Sequence, residues 1–93
     1  MRILWTDEAL ADLEDIVVYY TLEASPRTAA TVENRIIAEI ESLPPFAERI
    51  RESDRIPGTR ELVVSKLPYM VFVEIRAQDI IVLNIVHTRR KFP

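Results

Sequence analysis

No cysteine occurs among the 93 residues, which excludes a disulfide framework, a thiol nucleophile, an iron–sulfur site and a cysteine zinc knuckle. Histidine occurs once, as His87, so a multi-histidine metal centre is excluded too, and neither a metal nor another cofactor is expected. Long apolar runs are also missing. No window approaches the roughly 20 apolar residues that span a bilayer, and the N-terminal region carries Asp7, Glu8, Asp12, Glu14 and Asp15 where a signal peptide would be apolar. The expectation is a cytoplasmic protein without membrane contact. What is present is a 48% hydrophobic composition with mean hydropathy of +0.03, suited to a single soluble globular domain spanning residues 1–93.

Lysine is scarce, and the charges are unevenly placed. Residues 1–45 hold Arg2, Arg27 and Arg35 against nine acids, whereas residues 46–93 hold nine basic groups against six acids. The net charges are therefore −6 and +3. Ten of the twelve cations are arginine, the side chain whose planar fork suits bidentate binding of phosphate or carboxylate. Any anion-binding surface belongs to the second half, although the same counts also fit acids solvating helices and arginines rimming a sheet.

Alternating Met1-Arg-Ile-Leu-Trp5 predicts a strand, with Trp5 anchoring it under the helices. Thr6 follows as an N-cap, with Asp7 and Glu8 in a first helical turn. Ala9, Leu10, Leu13, Ile16, Val17 and Tyr20 recur at steps of three and four, which predicts an amphipathic helix over about residues 7–23. Ser25-Pro26 is an N-cap with proline at the first helical position, and Ala29, Val32, Ile36, Ile40 and Leu43 continue the spacing until Pro44-Pro45 stops it. The segment 46–58 (FAERIRESDRIPG) reads as a loop with one helical turn, ending in the chain's single glycine, Gly58. Three β-branched and aromatic stretches follow, Arg60–Lys66, Tyr69–Arg76 and Ile80–His87, separated by Leu67-Pro68 and Ala77-Gln78-Asp79. The order predicts an α+β fold, β-α-α-β-β-β, with a helical hairpin packed on one face of an antiparallel sheet and the other face free for a ligand.

Three clusters in the basic half carry chemistry: the turn Pro57-Gly58-Thr59-Arg60-Glu61-Leu62, the pair Pro68-Tyr69, and the tail His87-Thr88-Arg89-Arg90-Lys91-Phe92-Pro93. Strict alternation sends Arg60 and Glu61 to opposite faces, and it puts His87 in one row with Ile81, Leu83 and Ile85. In that row His87 also reads simply as a half-buried, hydrogen-bonded histidine, and Tyr69 as a packed strand residue. Arg60, Lys66, Arg89, Arg90, Lys91 and Phe92 are the candidate target- or anion-binding residues.

Trp5-Thr6 with Ala9, Asp12-Leu13 and Ile16, then Pro26, Ala29, Leu43-Pro44, Gly58-Thr59-Arg60-Glu61, Pro68-Tyr69 and His87-Thr88-Arg89-Arg90 form an ordered set. Together they resemble the RelE/ParE superfamily of bacterial type II toxins across nearly the whole chain. The resemblance implies a small α+β toxin made beside an antitoxin, ParD-like or RelB-like, that wraps it in a hetero-oligomer and blocks its activity. Two targets are open. RelE-like members cleave messenger RNA on the ribosome without a metal, by attack of a 2′-hydroxyl on the adjacent phosphate. On that reading Glu61 and His87 are candidates for base and acid, with Arg60, Lys66, Arg89 and Arg90 holding the phosphate. ParE-like members instead bind DNA gyrase and trap its cleaved complex, and need no catalytic residue. Two features favour the ParE-like reading: lysines are few, and Phe92 stands where the nucleases often carry a tyrosine, able to stack on a base but not to donate a proton. The Glu48-Arg49 pair departs from the Gly-Arg often found at that point in the family.

Overall fold

The computed structural model describes residues 1–89, apart from the side chain of Phe46. The sheet-forming and helix-forming signals fall where the chemistry puts them. β1 (Arg2–Trp5) runs into Thr6, whose Oγ1 accepts from the Ala9 N–H at 3.0 Å and starts α1 (Asp7–Glu23). Ser25 repeats the device, accepting from the Thr28 N–H at 3.0 Å, and Pro26 opens α2 (Pro26–Glu41) with a φ already suited to a helix. Ala9, Leu13 and Ile16 are buried from α1, and Ala29, Val32, Ile36 and Ile40 from α2; the α2 stripe is the one the spacing predicts, whereas Leu10 of the predicted α1 stripe is exposed.

After Leu43 the prolines divert the chain into a short 3-10 helix, Pro44–Arg49. The four remaining strands are β2 (Arg51–Glu52), β3 (Arg60–Val63), β4 (Tyr69–Arg76) and β5 (Asp79–His87). They form one sheet in the order β1-β5-β4-β3-β2. The expected helical turn before β3 is present, and the short strand β2 beside it was not anticipated; a two-residue strand carries no periodicity to detect. The antiparallel meander of β3, β4 and β5 holds, but β1 lies parallel to β5, pairing Arg2 with Asp79 through to Trp5 with Val82. The sheet is therefore mixed.

Strict alternation fails in β5. Phe72 pairs with Asn84 and Val73 with Val82, so Leu83 is an extra residue on the β5 side. As a result Ile80 and Val82 share the helix-covered face with Ile85, although their numbers differ in parity. His87 keeps phase with Ile85 but not with Ile81 or Leu83. The bulge is held from the N-terminal part of the chain. Thr6 Oγ1 donates to the Leu83 carbonyl at 2.9 Å, the Thr6 N–H donates to the Val82 carbonyl at 3.1 Å, and an Asp12 carboxylate oxygen accepts from the Ile85 N–H at 2.9 Å. One threonine thus caps the helix and fixes the bulge.

The main core joins both helices to Val71, Val73, Ile80, Val82 and Ile85. A second cluster, Met70, Phe72 and Val86, lies on the opposite face, with Ile56 and Leu83 packed against it. That face is accordingly not free along its length, as the sequence suggested. The loop between β2 and β3 folds back over part of it, closed by Ser53 N–H to Thr59 carbonyl (2.9 Å) and turned at Gly58, where φ is +81°.

Candidate functional site

The predicted residues separate into two groups at opposite ends of the sheet. Arg60 and Glu61 begin β3, and Arg60 pairs with Val73. Tyr69, which begins β4, pairs with His87 at the end of β5. Val73 and Tyr69 are four residues apart on one strand, about 13 Å at the usual rise. Lys66, in the turn between β3 and β4, and Arg89, after β5, belong to the His87 end, where the Thr88 N–H donates to the Pro68 carbonyl at 2.8 Å. Arg90, Lys91 and Phe92 lie outside the described residues.

At the first end the polar groups are committed to one another. Arg60 Nη1 donates to the carbonyls of Ile50 (2.8 Å) and Glu48 (3.1 Å) at the close of the 3-10 helix, and its guanidinium lies 3.9 Å from the Glu52 carboxylate. Glu61 points to the opposite face, as alternation predicts, and is 8% exposed. It accepts from the Ser53 hydroxyl at 2.6 Å, while that hydroxyl oxygen accepts from the N–H groups of Arg55 and Ile56. A hollow of about 250 Å³ here is lined by Glu52, Ser53, Thr59 and Arg60, with neither His87 nor Arg89 in reach. Arg60 and Glu61 therefore build the loop rather than converge on a common point.

The second end is open. His87 is half-buried, and its Nδ1 accepts from the Arg89 backbone N–H at 3.1 Å, which leaves the proton of the neutral ring on Nε2. The ring meets Tyr69 edge-to-face at 5.6 Å, Tyr69 meets Tyr20 at 6.5 Å, and Tyr20 meets Tyr19 at 5.1 Å. Burial first, then the Tyr20 hydroxyl bonded to it, holds the Tyr69 phenol well above its ordinary value. It stays neutral and is a poor acid near neutrality. These rings wall a cleft of about 340 Å³ whose floor is Ile16 and Ile85 and whose helical side carries Asp12 and Asp15. The cleft was not found by sequence reasoning. Its signal was there: Asp12, Asp15, Ile16, Tyr19 and Tyr20 follow the three-to-four spacing, one helical face set beside the apolar stripe.

Lys66 and Arg89 are exposed and do not line the cleft. Among the described residues no three carboxylate or histidine side chains gather to hold a metal ion, and no helix is long and apolar enough to cross a membrane.

A helical hairpin on a five-stranded mixed sheet places the chain in the fold class of small toxins of toxin–antitoxin modules. A chain of the intact E. coli RelBE toxin-antitoxin complex superposes with a TM-score of 0.55 at 11% identity, covering 96% of this chain and 98% of that one, a likeness of fold alone. A chain from the chromosomal ParDE system of P. aeruginosa superposes with a TM-score of 0.87 at 25% identity, over 94% of this chain and 95% of that one. In sequence, the chain is 34% identical over 92 residues to a Sinorhizobium fredii (strain NBRC 101917 / NGR234) protein named "Putative toxin Y4kP", covering 99% of this chain and 93% of the relative. Residues 3–92 match the family described as the ParE toxin of the type II toxin-antitoxin system parDE, and the chain belongs to that family.

Proposed function

We propose that this chain acts in the cytoplasm as a growth-inhibiting toxin that binds DNA gyrase, and that a cognate antitoxin neutralises it in a hetero-oligomer. The observation that carries the choice of target is the separation at the two ends of the sheet. Cleaving RNA without a metal requires a base, an acid and cationic donors around one phosphate. Here Arg60 is tied to two backbone carbonyls, Glu61 is buried on the other face, and His87 sits at the far end of β4. Holding a gyrase complex requires only shape and charge complementarity, for which the exposed Lys66 and Arg89 near the end of β5 are available.

The antitoxin reading is supported by the family, whose toxins belong to the two-component parDE system, and by the similarity to a chain of the P. aeruginosa ParDE system. The surface agrees with it. Leu10, Val18 and Leu22 of α1 are 51%, 49% and 77% exposed, and β1 has a partner strand on one side only. A helix and an added strand covering these would bury a standard interface of about 1,600 Å² or more.

The deciding experiment is inducible expression without the antitoxin, followed by the SOS response, gyrase-dependent DNA breaks and cleavage of ribosome-bound messages. Expected are DNA breaks and an SOS signal with intact messages. Codon-associated message cuts, abolished by His87→Gln and unaccompanied by DNA breaks, overturn the gyrase reading in favour of an endoribonuclease. The product of the adjacent gene is expected to co-purify with the chain; failure to do so removes the antitoxin reading.

A further inference from the structure

The cleft between α1, the start of β4 and the end of β5 lies at the same end of the sheet as Lys66 and Arg89, yet neither lines it, and its chemistry is opposite to theirs. Its walls are tyrosine rings and its charges are carboxylates, so a phosphate is repelled there. Asp12 is already engaged with the bulge through the Ile85 N–H and the Asn84 amide. Asp15 is exposed and its carboxylate has, among the described residues, neither an ion pair nor a hydrogen bond. Tyr19 is 55% exposed, standing edge-on to Tyr20 at an interplanar angle of 89°. Only one face of one ring is covered in such an edge-to-face pair, and Tyr19 lines the cleft with more than half of its surface uncovered.

A free carboxylate beside open phenol faces, above an isoleucine floor, matches one side chain closely. A guanidinium pairs with a carboxylate through its fork, lies flat on an aromatic face, and brings an aliphatic stem for the apolar floor. An ammonium satisfies the carboxylate but lacks the plane. We infer that the Asp15–Tyr19–Tyr20 cleft is the receptor for an arginine side chain presented by the antitoxin. The choice of source rests on the antitoxin reading above and on charge: the carboxylates lining the cleft are Asp12 and Asp15, with no lysine or arginine among the lining residues, which selects a basic side chain of the partner.

Two measurements on the full chain test this and separate it from the reading it rests on. In the first, N-acetyl-arginine amide and its neutral isostere N-acetyl-citrulline amide are titrated against the free protein and followed by NMR. The arginine probe is expected to shift the resonances of Tyr19, Tyr20 and Ile85 with a dissociation constant on the order of millimolar. The citrulline probe should leave them in place, and Asp15→Asn should weaken the arginine response about fivefold or more. Equal response to both probes, or shifts scattered away from the cleft, overturns the inference.

In the second, antitoxin affinity is compared for the wild type, Asp15→Asn, Asp15→Lys and a control acid on α2, Glu41→Gln, with thermal unfolding confirming that each variant folds. Expected losses are about tenfold for Asp15→Asn and about a hundredfold or more for Asp15→Lys, with Glu41→Gln unchanged. Tight wild-type binding that Asp15→Lys leaves intact overturns this inference while sparing the antitoxin reading. Absence of wild-type binding overturns the antitoxin as the source, and the probe titration still decides the chemistry of the cleft. Two other occupants would also overturn it: a second copy, if a wild-type dimer dissociates on Asp15→Lys, and the chain's own tail, if replacing Arg90 and Lys91 with glutamine tightens the arginine probe several-fold.

Discussion

The two ends of the sheet contain similar residue types and do opposite things with them. Where β3 begins, an arginine, a glutamate, a serine and a threonine are bound to one another and to carbonyls, with Thr59 Oγ1 donating to the Ile56 carbonyl at 2.8 Å. Where β5 ends, the rings of Tyr19, Tyr20, Tyr69 and His87 meet edge to face and the Asp15 carboxylate is unclaimed. Chemical type is therefore a poor guide to a working surface. A guanidinium whose donors are satisfied by backbone carbonyls acts as a brace, and it would have to be undone before it could hold a ligand.

The closed end should fail on small changes and the open end should not. The largest effect is expected from Phe72→Ala. Phe72 is fully buried opposite Glu61, and losing it should cost about 3–5 kcal/mol in denaturant unfolding. Arg60→Ala should follow at about 2–3 kcal/mol, because the Ile50 and Glu48 carbonyls lose a charged donor. Its toxicity should fall in step with the folded fraction; a large loss of toxicity at full stability would return Arg60 to the target-binding surface. At the open end, His87→Gln should change stability by less than about 1 kcal/mol and leave growth inhibition largely intact, since the ring makes one hydrogen bond to a backbone N–H.

Tyr69 allows the open end to be probed by alkali. Its phenol is held above the ordinary value, so the unfolded chain ionises first, at about pH 10. The unfolded state then binds fewer protons than the folded one, and stability must fall as pH rises beyond that point. Tyr69→Phe, compared with the wild type between about pH 9 and 11, should flatten part of that fall. The smallest effect lies away from both ends. Ala77 holds φ at +54° in the turn between β4 and β5, and Ala77→Gly should raise stability by about 0.5 kcal/mol, visible as a slightly higher melting temperature.

What could be read beforehand followed from how local each signal is. Thr6, Ser25-Pro26 and the three-to-four spacings act within a turn or two of their own position, and both helices and the bounds of β4 came out as expected. The bulge at Leu83 is fixed by Thr6 and Asp12, more than seventy residues earlier, and no glycine marks it. The parallel placement of β1 likewise has no mark in Arg2–Trp5 itself, whose alternation is the same for either direction. Opposite faces for Arg60 and Glu61 were legible from period two, whereas the carbonyls that claim Arg60 come from a 3-10 helix whose position depends on how the prolines turn the chain. The Asp15 cleft was missed for a different reason. Its residues look like an ordinary solvated helix edge until the end of β5 is brought beside them.

The pairing of β1 with β5 has a consequence for the order of events during synthesis. Asp79, the partner of Arg2, is made 77 positions after it. At ribosomal rates of about 5–20 residues per second, the first strand waits roughly 4–15 seconds for its neighbour. Thr6 waits equally long for Leu83, 77 positions on, and Asp12 nearly as long for Ile85, 73 positions on. The helical hairpin can form meanwhile, because its caps and stripes are local, but its apolar side has no sheet to lie on. The fold thus cannot close until β5 has been made, and a message broken anywhere before its codons yields a chain unable to seat β1.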